Sequence, residues 1–173
     1  AQEWTEIVLR DRNHPSLIGW CPLNETPATQ DRRTLSTLYA LTRAIDPTRP
    51  VIDASGYHHV VTDVYDVHDY EQDPEVFRAT YAGLDGHSPE GADFDRYNRG
   101  YARYAGQPFF VSEYGGTWWA PGRTDGWGYG KAPRTEEEVG SRYEGLTAAL
   151  LDNPHICAFC YTQLTDIEQE QNG

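Results

Sequence analysis

The sequence predicts an α/β fold in which short strands alternate with amphipathic helices around a parallel sheet, about five strands long and short of a closed barrel. Three observations lead there. Apolar runs of strand length recur between segments whose apolar residues repeat at helical spacing. Strand, helix, strand in succession makes βα units, and those pair in parallel. The chain has 173 residues, one domain's worth, whereas a complete (β/α)8 barrel takes roughly 250.

The elements follow in order. Trp4 to Arg12 reads as helix and stops at Asn13-His14-Pro15, because the residue before a proline avoids helical geometry. Leu17 to Cys21 is a short buried-strand run. Arg33 to Ile45 places Leu35, Leu38, Leu41 and Ile45 on one helical face. Asp46-Pro47 ends it, and Val51 to Ser55 is the second strand. Val60 to Val67 is mostly apolar and β-branched, so it predicts the third. Its distance from the second strand is too short for a crossover helix, which takes a dozen residues or more with its loops. That connection is therefore expected to be degenerate. Glu75 to Tyr81 and Asp95 to Ala105 predict helices. Phe109 to Ser112 predicts the fourth strand. Thr135-x-x-Glu138 is a capping box ahead of Val139, Tyr143, Leu146 and Leu150. Ile156 to Thr162 is the last strand. Cys157-x-x-Cys160 lies inside it, where nothing would stabilise a thiolate, so it reads as structural rather than redox.

Composition narrows the partners. Formal net charge is −13, and Lys131 is the single lysine. Such a surface repels phosphate backbones and anionic lipid, which argues against nucleic acid and membrane-surface partners. No apolar run approaches the ~20 residues of a membrane-spanning helix. The chain contains no methionine and ends abruptly on both sides, which predicts a piece of a longer chain.

In parallel βα architectures ligands bind beyond the carboxyl ends of the strands. The first strand runs into Asn24-Glu25 and the fourth into Glu113-Tyr114. At roughly 30 residues per βα unit these glutamates lie about three units apart, which on a barrel sets them facing across the mouth. Paired carboxyls are what glycosidic cleavage needs: one protonates the leaving oxygen while the other attacks carbon or activates water.

The flanking residues carry a family resemblance. Arg10-Asp11-Arg12-Asn13-His14-Pro15-Ser16-Leu17-Ile18-Gly19-Trp20 leading into Asn24-Glu25 resembles the signature of glycoside hydrolase family 2. Asp46-Pro47-Thr48-Arg49-Pro50 resembles the segment before that family's fifth strand. Phe110-Val111-Ser112-Glu113-Tyr114-Gly115-Gly116 is similar to its nucleophile motif, and Tyr161 to Glu170 to its eighth-strand segment. The motifs fall in the family's order across nearly the whole chain. The resemblance implies a partial (β/α)8 TIM barrel, strands four to eight, with Glu25 as general acid/base and Glu113 as nucleophile of a retaining enzyme. It implies that Asn24 binds the sugar 2-hydroxyl, that Tyr70 supports Glu113, and that Tyr161 forms an aromatic sugar platform. No cofactor follows from it.

Other residues are open to more than one reading. His68, two residues before Tyr70, either contacts substrate or is structural. The Gly- and aromatic-rich stretch from Gly115 to Pro133 is a sugar-binding lid, with Trp118 stacking on substrate, or a loop anchored by its own tryptophans. His58, His59 and His68 with Asp69 raise a metal-dependent hydrolase, although their spacing fits no zinc template. A non-catalytic carbohydrate-binding module would keep the tryptophans without juxtaposing the glutamates. An open partial barrel exposes sheet edges, so pairing with a second copy is expected.

Overall fold

The computed structural model describes residues 1–85, 102–123 and 125–173. Its elements are α1 (Gln2–Asp11), α2 (Arg32–Ile45), β1 (Tyr65–Asp69), α3 (Pro74–Tyr81), β2 (Phe109–Gly115), α4 (Glu136–Leu151) and β3 (Ile156–Thr162). β1, β2 and β3 form a parallel sheet in that order. Two extended segments lie before β1 and are joined by parallel bridges, Trp20 to Val51 and Asn24 to Ser55. The second is tied to β1 by Ser55 Oγ and Gly56 N–H, which donate to the Asp66 carboxylate at 2.7 and 3.1 Å. The result is an array of five parallel lines, a partial barrel as expected.

Local chemistry sets the helix ends. The side chains of Asp31, Asp73 and Thr135 accept the first free N–H groups of α2, α3 and α4. Pro74 opens α3, where its missing N–H costs nothing. Ahead of α4, Glu138 accepts from Arg134 N–H at 2.7 Å while Thr135 accepts from Glu138 N–H at 3.2 Å. The main core lies between the sheet and the helices on its outer side, where Tyr65, Val67, Phe109 and Val111 meet Phe77, Tyr81, Leu146 and Leu150. Each such side chain contributes about 1.5–3 kcal/mol by leaving water.

A second cluster centres on Val8, Trp20 and Val51. Asp46 holds it in place. Its carboxylate accepts from Thr48 Oγ1 at 2.5 Å, Trp20 Nε1 at 2.9 Å and Arg49 Nη1 at 2.8 Å. Thr48 foremost, then Trp20 and Arg49, hold its pKa well below the usual carboxylate range, against the opposing effect of burial. Arg49 also caps the carbonyls of Leu17 and His14. The Asp46 to Pro50 motif is thus the staple that aims the Leu17–Asn24 segment at the mouth.

The structure departs from expectation at two places. The first two expected strands shrink to single bridges at Trp20–Val51 and Asn24–Ser55. The strand expected from Val60 begins at Tyr65. Val60 and Val61 instead donate their N–H groups to Asp53 Oδ2 at 2.6 and 3.0 Å, so a carboxylate takes the bonds that a strand partner would have taken. This folded loop is the degenerate connection that the spacing demanded. The helix expected over Asp95 to Ala105 falls mainly outside the described residues, and residues 102–105 are irregular.

β1 is buried along its whole length, whereas Cys157, Ala158, Phe159 and Cys160 in β3 are exposed. The inner side of the array opens into an apolar hollow of about 330 Å³ walled by Ile18, Trp20, Ile52, Phe110 and Ala158. Cys157 and Cys160 are free thiols. Among the described residues no helix is long and apolar enough to cross a membrane.

Candidate active site

The two strand-end glutamates reach one mouth by different backbone devices. Glu25 N–H donates to Ser55 C=O at 2.8 Å, and Glu25 itself has φ +47°, in the left-handed region that non-glycine residues seldom occupy. Strain of this kind concentrates at functional sites. Glu113 is aimed by a β-bulge. Val67 pairs with Val111, but the next residue, His68, pairs with Glu113, so Ser112 is an extra residue in β2. The β3 side agrees, because Val111 pairs with Phe159 and Tyr114 with Tyr161. A bulge re-aims side chains. Here Ser112 turns to the Asp66 carboxylate and Glu113 reaches the mouth.

His68 stands between the glutamates. Its Nδ1 is 2.7 Å from Glu25 Oε1 and 3.3 Å from Glu113 Oε2. The three contacting atoms lie within 4.8 Å of one another. The His68 side chain is 1% exposed, against 33% for Glu25 and 24% for Glu113, so the imidazole is fixed and the carboxyls face solvent. Gly56 permits the arrangement. It has φ +105°, and a Cβ there would stand 2.7 Å from His68 Nδ1.

Tyr70 OH donates to Glu113 Oε2. Burial first, and then this bond, push the Tyr70 pKa above the ordinary phenol range, so it remains a donor. Its ring stacks on Tyr129 at 3.8 Å between centroids and 5° between planes. A cleft of about 390 Å³ opens here, with Tyr57, His68, Tyr70, Gln72 and Tyr129 in its walls. The two carboxyls therefore differ in kind. Glu25 shares a short bond with an imidazole that can hold a proton, and Glu113 accepts from a phenol that stabilises an anion.

Residues 1–132 match the family described as glycosyl hydrolases family 2, TIM barrel domain. The chain belongs to glycosyl hydrolase family 2. A β-galactosidase of Vibrio vulnificus (strain YJ016) is 37% identical over 62 residues, covering 35% of this chain and 6% of that protein. A β-glucuronidase of Rattus norvegicus is 42% identical over 53 residues, covering 30% and 8%. Among solved structures, an uncultured Clostridium sp. β-glucuronidase superposes with TM-score 0.65 at 16% identity, over 99% of this chain and 32% of that one. The GH2 β-galacturonidase of Eisenbergiella tayi bound to galacturonate gives 0.64 at 18% identity, over 92% and 28%. This family-2 chain thus spans about a third or less of those solved structures, and the matched segment is a small part of the curated relatives.

Within the family-2 barrel, Glu25, Glu113, His68 and Tyr70 come together. Asn24 is exposed beside Glu25 and bridges to Ser55. Two expected contacts are not assembled. Trp118 is half-buried and packs against Gly128, and it is not among the residues that line the cleft. Tyr161 packs its ring on Tyr114 and Tyr143 at 5.4 and 5.1 Å, on the helix-covered side of β3. The histidine cluster considered for a metal is not formed as such. His59 is fully buried, with Nδ1 2.8 Å from Asp53 and Nε2 2.9 Å from the Asp66 carbonyl. Asp69 turns outward and accepts from Tyr81 OH at 2.9 Å. Among the described residues, the donor atoms that do converge are those of Glu25, His68 and Glu113.

Sequence reasoning passed over Tyr57, Gln72 and the pair Ser55 and Ser112. Tyr129 belongs to the aromatic stretch already singled out. Ser112 carried a signal only in retrospect, since its inward direction depends on the bulge.

Proposed function

We propose that this chain supplies both catalytic carboxyls of a retaining glycoside hydrolase that cleaves a terminal β-linked sugar. The observation that carries the reading is the convergence of Glu25 and Glu113 on His68, with contacting oxygens within 4.8 Å. Retaining pairs lie roughly 5–5.5 Å apart and inverting pairs roughly 6.5–9.5 Å, because the latter must admit a water. In the first step Glu113 attacks the anomeric carbon while Glu25 gives its proton to the leaving oxygen. In the second, Glu25 takes a proton from water, whose oxygen displaces Glu113. Tyr70 steadies the Glu113 carboxylate, Asn24 holds the sugar 2-hydroxyl, and His68 lies against the acid. Trp118 and Tyr161 have the weakest support, since Trp118 packs on Gly128 and Tyr161 on Tyr114 and Tyr143. A carbohydrate-binding module would have no use for two glutamates set on one imidazole.

The substrate is a carbohydrate, and the similar proteins named above are a β-galactosidase, β-glucuronidases and a β-galacturonidase. We assign the chain to the later part of the catalytic barrel, covering strands four to eight, and expect it to be inactive by itself because the inner hollow and the β3 edge are uncovered. In isolation it is expected to pair with a second copy over those edges. Sedimentation of the isolated chain as a monodisperse monomer with cooperative unfolding would count against that pairing.

The decisive test of the acid is leaving-group dependence in the full-length protein. Glu25→Gln is expected to lower kcat/KM on alkyl β-glycosides by about 10²–10⁴-fold. It should lower it far less on 2,4-dinitrophenyl glycosides, whose leaving group departs unprotonated. An equal loss on both classes would remove Glu25 from the acid's role.

A further inference from the structure

Behind His68 lies a buried polar chain that the reaction as written does not use. Asp66 is fully buried on β1 and faces the same side as His68, two residues on. Its Oδ2 accepts from Ser55 Oγ at 2.7 Å, from Gly56 N–H at 3.1 Å and from Ser112 Oγ. Ser55 Oγ is in turn 2.9 Å from His68 Nε2. His59 lies behind Asp66, with Nε2 2.9 Å from the Asp66 main-chain oxygen and within ion-pair range of its Oδ1 at 3.2 Å, while its Nδ1 meets Asp53.

Counting protons resolves this chain. A serine hydroxyl has one hydrogen and two acceptor lone pairs. Ser55 spends its hydrogen on Asp66, so toward His68 it can only accept, and Nε2 must carry a proton. Ser112 spends its hydrogen on the same carboxylate, so the 3.1 Å contact between the two hydroxyls takes neither hydrogen and leaves the Ser55 lone pair free for Nε2–H. With Nε2 protonated, a neutral His68 presents a bare Nδ1 to Glu25 and Glu113. The 2.7 Å contact with Glu25 then requires one further proton between them. Losing it sets a nitrogen lone pair against two carboxylates.

We propose that Ser55 and Ser112, held by Asp66, are positioning residues that fix His68 with its proton on Nε2 and thereby keep the transferable proton on the line between Glu25 and Nδ1. This rests on the reading of Glu25 as the acid. The groups facing His68 are Glu25 from the first segment, Glu113 and Ser112 from β2, Ser55 and Tyr57 from the loop before β1, and Asp66 and Tyr70 from its own strand and strand end. Substrate binding must then break the Glu25–His68 bond so that the acid can turn to the glycosidic oxygen. Without Ser55, deprotonation carries no such cost. His68 can place its one hydrogen on Nδ1, toward ionised Glu25, and the acid's proton leaves more readily.

The test uses the full-length protein with ¹⁵N-labelled histidine, the His68 signals being assigned by their loss in His68→Gln. Long-range ¹H–¹⁵N spectra of the wild type are expected to show a protonated Nε2. Ser55→Ala should shift His68 toward the Nδ1–H form and move the alkaline limb of the kcat/KM profile down by about one pH unit, the equivalent of one hydrogen bond. Ser55→Thr, which keeps the hydroxyl, should restore both. A neutral wild-type His68 with its proton on Nδ1 overturns the proposal. So does a Ser55→Ala protein that loses thermal stability while spectrum and profile stay put. If Ser55→Ala does not fold, the wild-type spectrum still decides. Failure to cleave any glycoside would overturn the functional reading instead, and leave the spectrum to judge the tautomer.

Discussion

Glu113→Gln in the full-length protein is expected to lower kcat/KM on every glycoside the protein cleaves by about 10⁴-fold or more, with little change in thermal midpoint. The geometry explains both halves. An amide oxygen cannot form a stable glycosyl ester, so the first step loses its nucleophile whatever the leaving group. That separates this variant from Glu25→Gln, whose loss depends on the leaving group. The fold has little reason to notice. Tyr70 OH can donate to the amide oxygen as it does to the carboxylate, and Glu113 is solvent-facing rather than a core group. The bulge that aims residue 113 is made by backbone pairing of Val67, His68, Val111 and Tyr114, none of which is altered. The measurement is kcat/KM across a panel of nitrophenyl and alkyl glycosides, with thermal unfolding as control. A variant that hydrolyses any of these sugars at the parental rate would show that Glu113 is not the nucleophile.

How much of this site could be read beforehand depends on whether the deciding interaction was local. The helices were legible because stripe and cap lie within one segment: Leu35 and Leu38 behind Asp31, Leu146 and Leu150 behind Thr135. Glu25 and Glu113 were legible because a polar residue ending an apolar run is a local signal, and their flanks resemble a family pattern. The Val60–Val61 strand was misread because its competitor is a carboxylate at Asp53, several residues away, which only the folded loop brings near. The resemblance puts Tyr161 at the mouth, but β3 has an extra residue of its own at Cys157, between the pairs Phe109–Ile156 and Phe110–Ala158, and the ring lies against Tyr114 and Tyr143. Inward or outward direction beyond a bulge is a property of two strands together, so neither strand's sequence holds it. The role of Ser55 was illegible for the same reason: its partners Asp66, His68 and Ser112 come from two other strands.

His59→Leu is expected to destabilise the fold by about 3–5 kcal/mol near neutral pH, the usual effect of removing one partner from a buried ionic group. His59, Asp53 and Asp66 are all fully buried. The imidazole bridges the other two, 2.8 Å from Asp53 and 3.2 Å from Asp66. Leucine fills similar space but leaves two carboxylates in a dry interior without their cation. The effect should also depend on pH in a defined direction. Burial favours neutral His59, but the hydrogen bonds to Asp53 and then Asp66 outweigh it and raise the pKa to about 10. An unfolded histidine titrates near ~6.5. A folded-state pKa above the unfolded one contributes stability that is fully present below ~6.5 and lost as pH rises toward about 10. The gap in stability between wild type and His59→Leu should therefore be widest at or below about pH 6.5 and narrow on the way to about pH 10. Chemical unfolding at several pH values measures it directly. A gap that stays constant over that range would mean that His59 is buried neutral and that Asp53 and Asp66 are balanced in some other way. That outcome would also remove the fixed charge that anchors Asp66 behind Ser55 and His68. The stability of this buried triad and the proton held at the mouth are thus joined through one carboxylate, and a charged His59 is what keeps that carboxylate an acceptor for both serines.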